Sequence, residues 1–264
     1  LTCVKNNINF FMEKPLEQNI EECKELLIQL KNNSNIVHAV GYSKRFWDTF
    51  SKAKELLDLG LLGDLIYVKS SFYLSLLFSE GKGWRFTKKT SGGGALLDFG
   101  IHVLDLLIWY FGPIKEVGGI VKSYYSSEVE DFAHASMKFE NGLVGYVDTS
   151  WSARGYRVPE ISIEVQGKNG IMTVNDDLVK VTLDNDIHQY KKGTTIIYKQ
   201  ALFNGTLIDI GGADFTREDL HVVKCVMDKK QTLINVFEAS KSQSVIDAIY
   251  KSANEKITQE VSYL

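Results

Sequence analysis

The amino-acid sequence predicts an α/β (α+β) chain, with one βαβ unit followed by a large, mostly antiparallel sheet that carries helices on one face. Three observations predict it. Apolar runs at residues 8–12 and 36–42 flank a helical pattern at 19–31. From residue 117 to 198, apolar residues recur at period two in seven successive segments separated by turn residues. Helical spacing then returns at 216–227 and 238–254.

The first unit opens with the short strand 8–12, which runs into Glu13-Lys14-Pro15. Ile20, Cys23, Leu26, Leu27 and Leu30 line the inner face of the helix at 19–31. The run IVHAVGY at 36–42 is nearly all apolar, as expected for a buried strand of a parallel pair. A right-handed crossover makes the two strands parallel. One such unit cannot cover both faces of its own sheet, so it belongs to a larger doubly wound sheet. The chain starts at Leu1 rather than methionine, which leads us to expect a fragment or a processed chain. The division expected is 1–45 and 46–264.

Beyond that unit, Phe50, Ala53, Leu56 and Leu57 mark a helix at 47–59 that ends in the Gly60–Gly63 turn. Residues 65–74 are strand-like, and 76–90 are irregular. The period-two segments follow at 117–125, 131–139, 143–151, 160–166, 171–174, 179–183 and 194–198. Asn141-Gly142 signals a two-residue hairpin turn. Thr216 and Asp219 have the spacing of a capping box for the first terminal helix.

The most informative stretch is SGGGALLDFGIHVLDLLIWYFG at 91–112. Its apolar residues recur at helical spacing, and Gly112-Pro113 ends the helix. Asp98 and His102, at i and i+4, share a face, and Asp105 lies further along the same stripe. Titratable groups on an apolar helix are costly to bury without partners or a task. Spacing alone leaves three readings open: Asp98 as a helix cap with His102 a core histidine, a catalytic pair, or a metal site. The last lacks HExxH, CxxC and a clustered third ligand, so no metal is expected.

Composition excludes several classes. A formal net charge of −3 argues against phosphate-neutralising nucleic-acid binding. Cys3, Cys23 and Cys225 are few and widely spaced, which disfavours a disulfide framework and favours a reducing, cytoplasmic setting. No uninterrupted apolar run reaches membrane-spanning length, so no membrane partner is expected.

Glu13-Lys14-Pro15 after an apolar strand resembles the EKP motif of the glucose–fructose oxidoreductase/inositol dehydrogenase/MocA (Gfo/Idh/MocA) family. Gly92-Gly93-Gly94 … Asp98 … His102 … Asp105 … Trp109 is similar to that family's GGG-x₃-D-x₃-H motif. The Val40-Gly41-Tyr42 … Arg45-Phe46 segment, the Gly60–Gly63 turn and Asn141-Gly142 fall in the family's order, so the resemblance covers essentially the whole chain. It implies a two-domain oxidoreductase that uses NAD or NADP on a sugar, nucleotide-sugar or cyclitol. Residues 1–45 would be the C-terminal remnant of its Rossmann-type domain. By motif, the catalytic residues are Lys14, Asp98 and His102, and Glu13, Lys14 and Pro15 lie at the cofactor. The family's G-x-G-x-x-G loop does not occur in this sequence. Without it there is no helix N-terminus for the pyrophosphate, so this chain alone should bind cofactor poorly and turn over poorly.

Removing a hydroxyl proton while hydride leaves carbon needs a base poised near neutral pH. An imidazole oriented by a carboxylate meets that need, and a lysine ammonium can stabilise the alkoxide. Oxidation is then expected to rise with pH through about 6 to 8. The remaining substrate-binding candidates are Arg85, suited to a carboxylate or phosphate, its neighbour Trp84, and Arg154 and Tyr156 in a turn after a strand. Asp105 is expected to be structural. Two alternatives to the enzyme are a non-catalytic sugar-binding module and an oligomerisation module. A homo-oligomer, dimer or tetramer, through the open sheet face is compatible with the first reading too.

Overall fold

The computed structural model describes the whole chain except residues 34, 207, 209 and 210. The first unit is a two-stranded parallel pair, β1 (Phe10–Met12) and β2 (His38–Val40), crossed over by helix α2 (Ile20–Lys31) and preceded by the short helix α1 (Thr2–Lys5). Asn19 caps α2 by accepting from the Glu21 and Glu22 amides, and Cys23, Leu26, Leu27 and Leu30 form its buried stripe. The second edge of β2 is satisfied from the far end of the chain. Val40 N–H donates to the Ile234 carbonyl, Thr232 Oγ1 to that of His38, and Gln231 Nε2 to that of Ile36.

The other sheet has nine strands. In chain order they are β3 (Leu65–Tyr73), β4 (Ile114–Lys122), β5 (Phe132–Phe139), β6 (Val144–Ser150), β7 (Glu160–Gly167), β8 (Gly170–Asn175), β9 (Leu178–Leu183), β10 (Gly193–Tyr198) and β11 (Gln259–Glu260). Their order across the sheet is β10-β9-β8-β7-β3-β6-β5-β4-β11. Every neighbour pair is antiparallel except β3–β6. The sheet is thus mostly antiparallel, as expected, but β3 enters its middle. A strand that arrives by crossover from a helix can sit beside β6 in parallel, which a hairpin cannot arrange.

The remaining helices are α3 (Asp48–Asp58), α4 (Lys88–Ser91), α5 (Ile101–Phe111), α6 (Lys199–Leu202), α7 (Ala213–Asp228) and α8 (Val236–Glu255). Helix α5 is buried almost all round, and α8 packs on β4, on α5 and on β2, so it ties the two sheets together. The stretch Lys88–Phe111 is long and apolar enough to cross a membrane by composition, but 78% of its most apolar window is buried inside the fold.

Three local expectations are corrected. The β5–β6 connection is a three-residue loop: Gly142 N–H donates to Phe139 O, and of the Asn-Gly pair only Gly142 has positive φ. A two-residue type I′ turn would need positive φ at both positions. Helix α7 starts at Ala213 with Gly212 at its N-cap, so Thr216 lies inside the helix and forms no capping box. The glycine-rich stretch does not open one regular helix either. Gly92 breaks the chain at φ +78, and a π-helical turn over Leu96–Gly100 precedes α5.

Candidate active site

The start of the central helix is fixed by a buried carboxylate that sequence reading missed. Glu130 accepts from the Gly94 and Leu96 amides and from the Tyr250 hydroxyl, while its own carbonyl accepts from Ala95 N–H. This is why the run of glycines is needed. A Cβ on Gly94 would lie 1.8 Å from the Glu130 carbonyl oxygen, and one on Gly93 would lie 2.3 Å from the Tyr250 hydroxyl. The carboxylate occupies the helix N-terminus, where the orphan amides and the dipole favour negative charge.

The π-helical turn then re-aims Asp98. Its side chain caps nothing. Lys14 Nζ, reaching over from the end of β1, donates to Asp98 Oδ1 at 2.7 Å and to its backbone carbonyl at 2.8 Å. Arg85 approaches from the other side, with Nε 3.6 Å from Asp98 Oδ2, and neither of those two atoms has a hydrogen-bond partner. This corrects the expectation that Asp98 orients His102, since the carboxylate is held by Lys14 instead. The His102 ring lies edge-on to Tyr42 and beside Phe72, and its Nδ1 is buried with no partner. Burial, and the nearby Lys14 and Lys44, hold His102 well below the ordinary histidine range. The imidazole is therefore neutral at pH 7 and for some way below it.

Two adjoining cavities meet at Glu13 and Lys14. One, of about 280 Å³, is lined by Glu13, Lys14, Pro15, Trp84, Arg85 and Asp98 among others. The second, of about 530 Å³, is lined by Glu13, Lys14, Lys44, His102, Phe215 and Glu218 among others. Lys14 thus faces Asp98 in the first and His102 in the second. Both cavities lie beyond the C-terminal end of β1, and the larger one also meets the residues that follow β2, the usual ligand position in a parallel sheet.

Of the other candidates, Trp84 is 67% exposed at the rim, with the Arg85 guanidinium 5.7 Å from its ring. Arg154 and Tyr156 line neither cavity. The Arg154 guanidinium lies over Phe78 and the Tyr156 ring packs on Tyr73, so their loop reaches the larger cavity through Pro159 instead. Asp105 leaves the site to make a buried bidentate pair with Arg45. Sequence reading missed Lys44 and Glu218, because nothing in the local pattern shows that their segments fold back onto the EKP loop. Among the described residues, no three His, Cys, Asp or Glu side chains cluster as a metal site.

Comparison with known proteins matches the stretch that carries Asp98 and His102. Residues 50–173 match the GFO/IDH/MocA C-terminal domain model. Over that stretch the chain is similar to the C-terminal domain of the Gfo/Idh/MocA oxidoreductases. It is 25% identical over 189 residues to a levoglucosan dehydrogenase of Pseudarthrobacter phenanthrenivorans, a match covering 62% of this chain and 48% of that protein. It is 28% identical over 180 residues to the scyllo-inositol 2-dehydrogenase (NAD(+)) of Bacillus subtilis, covering 64% of this chain and 49% of the other. The matched stretch is thus about half the length of these curated relatives. In fold, the chain resembles a levoglucosan dehydrogenase solved in complex with NADH and levoglucosan, with a TM-score of 0.89 at 23% identity over 99% of this chain and 76% of the other.

Proposed function

We propose that the chain forms the substrate side of an NAD(P)-dependent oxidoreductase, one that moves hydride between a nicotinamide cofactor and a secondary hydroxyl of a sugar, nucleotide-sugar or cyclitol. The observation that carries this reading is the meeting of Lys14, Asp98 and His102 around two joined cavities at the ends of parallel strands. In this reading residues 1–45 belong to the nucleotide side, and 46–264 to substrate binding and to assembly through the exposed sheet face.

The residues present fit the nicotinamide end of such a cofactor. Glu13, Lys14 and Pro15 follow β1, and Gly41 to Lys44 follow β2, so both strand ends face the cavities. His102 adds a buried ring nitrogen with no protein partner. When bound, the cofactor supplies acceptance of the hydride. This chain's own groups do the rest. Lys14 Nζ, held by Asp98, is placed to donate to the substrate oxygen and stabilise its developing charge. Neutral His102 accepts the hydroxyl proton, and the Phe72 and Tyr42 rings keep water from its faces.

The test follows the His102 ring by NMR in the 264-residue chain while levoglucosan, D-xylose or scyllo-inositol is added, alone and with NADH. At least one polyol should shift the His102 signals, and Lys14→Met should weaken that response. NADH alone should bind only weakly, since none of the chain's glycines forms a G-x-G-x-x-G loop. If neither polyols nor NADH move His102 at tens of millimolar, the reading fails.

A further inference from the structure

Glu218 is a charged residue type in a place the chemistry above does not use. It stands on α7, one turn after Phe215, and both side chains line the larger cavity with Lys14, Lys44 and His102. Its side chain is buried, with the residue 3% exposed, and Oε1 has no hydrogen-bond partner among the described residues. A buried polar atom left unpaired costs about 1–3 kcal/mol, so a residue kept in this state calls for a partner from outside the chain.

Resting on the dehydrogenase reading, we propose that Glu218 contacts the ligand of this cavity, donating a hydrogen bond from its carboxyl group to an uncharged oxygen acceptor. That acceptor is a hydroxyl oxygen of the polyol or a carboxamide oxygen of the nicotinamide. The electrostatic surroundings agree. Burial, reinforced by the carboxylates of Asp219, Glu13 and Asp105, pushes Glu218 up to about 8. The charged groups around it are Asp219 on its own helix, Glu13 after β1, and Asp105 on α5, the last paired with Arg45. Lys14, Lys44 and His102 line the same cavity, and Lys44 is held by Asp176 against the Trp47 ring. Among the described residues no cation is hydrogen-bonded to Glu218, so at pH 7 it is mostly a neutral acid with a proton to give.

The experiment titrates the Glu218 carboxyl by carbon-13 NMR in the full chain, assigning the signal with Glu218→Gln, while the His102 ring reports binding. Levoglucosan and nicotinamide mononucleotide are added separately to tell the two acceptors apart. The ligand that accepts from Glu218 should move the carboxyl's titration midpoint up by about one pH unit, because it binds the protonated form. Its affinity should fall about fivefold between pH 7 and pH 9 in the wild type and stay flat in Glu218→Gln, whose amide still donates. A ligand that shifts His102 while leaving the Glu218 midpoint in place overturns this inference and spares the dehydrogenase reading. If neither ligand shifts His102, both fall. A carboxyl that titrates in the ordinary range near 4 also overturns it, whatever the ligands do.

Discussion

Two aspartates seven residues apart on the central helical segment each hold a cation from the first 45 residues, yet they do different work. Asp105 takes Arg45 in a two-pronged pair, Nε to Oδ2 at 2.8 Å and Nη2 to Oδ1 at 2.6 Å, and Arg45 Nη1 donates to the Leu233 carbonyl. These side chains are 4% and 2% exposed. Asp98 takes Lys14 through one oxygen, the side chains are 17% and 22% exposed, and Asp98 Oδ2 has no hydrogen bond. The first pair is satisfied on every side and closed to ligand. The second keeps an acceptor in reserve and holds a rotatable ammonium at a cavity wall. A planar guanidinium suits a fixed joint, whereas a lysine can exchange its partner for a reacting oxygen.

The sharpest way to break this contrast is through turnover in any longer form of the protein that carries a pyrophosphate-binding loop. There, Lys14→Met and His102→Asn should each lower kcat by roughly 10²–10⁴-fold, with little change in cofactor affinity. The double variant should lose less than the product of the two, since both act on one oxygen. A His102→Asn protein that melts several degrees lower yet turns over at the wild-type rate would make His102 a core residue instead. Because burial holds the His102 pKa down, the acid limb of oxidation should lie below the usual histidine range. A wild-type limb at pH 7, lost in His102→Asn, would contradict the geometry.

For the closed pair the readout is stability. Arg45→Met strands a buried carboxylate and should cost about 3–5 kcal/mol in denaturant unfolding. Arg45→Met combined with Asp105→Leu removes both charges and should recover most of that loss. If Arg45→Met alone melts like the wild type, Asp105 is not the closed residue described here.

This difference was only half legible in the chain itself. Period-two patterning marked β4 to β10 within a few residues, because most of these strands bury alternate side chains. The EKP and GGG motifs named Lys14, Asp98 and His102, and Asp105 read as structural from its place one turn further on. Helical spacing put Asp98 and His102 on one face. It could not reveal that the π-helical turn gives Asp98 to Lys14 and leaves His102 between aromatic rings. Glu130, Lys44 and Glu218 act through contacts with segments distant in sequence, and no local period records such contacts. Arg154 and Tyr156 were chosen for residue type in a turn, which says nothing of where the turn points.

The closed side also carries His38 in β2, whose Nδ1 accepts from the Val236 amide at 3.0 Å. Burial lowers it to about 4. The unfolded chain takes up a proton near pH 6.5 and the folded chain does not, so stability is full above that value. It is lost progressively as pH falls from 6.5 toward 4, by roughly 3 kcal/mol. His38→Gln should flatten this part of the stability–pH curve measured by urea unfolding. An unchanged slope would mean that His38 is protonated in the fold.

The smallest effect on stability, and the most useful for substrate class, is expected from Arg85. Its side chain is 43% exposed, and its Nε stands 3.6 Å from Asp98 Oδ2 without a hydrogen bond. An ion pair this open contributes at most about 1 kcal/mol, so Arg85→Ala should barely change the melting temperature. Ligand binding is another matter. Arg85 and Trp84 stand at the rim of the smaller cavity, where a guanidinium beside an exposed indole can take an anionic group next to a ring. If the substrate is a nucleotide-sugar, Arg85→Ala should weaken it by tenfold or more, and the loss should shrink at high salt as screening weakens the wild type. If the substrate is an uncharged sugar or cyclitol, the loss should be severalfold and insensitive to salt. Titrating levoglucosan and a uridine diphosphate sugar against wild type and Arg85→Ala at low and high salt separates the two. Equal affinities in both proteins for both ligands would remove Arg85 from the substrate site and leave Asp98 Oδ2 to Lys14 and the ligand alone.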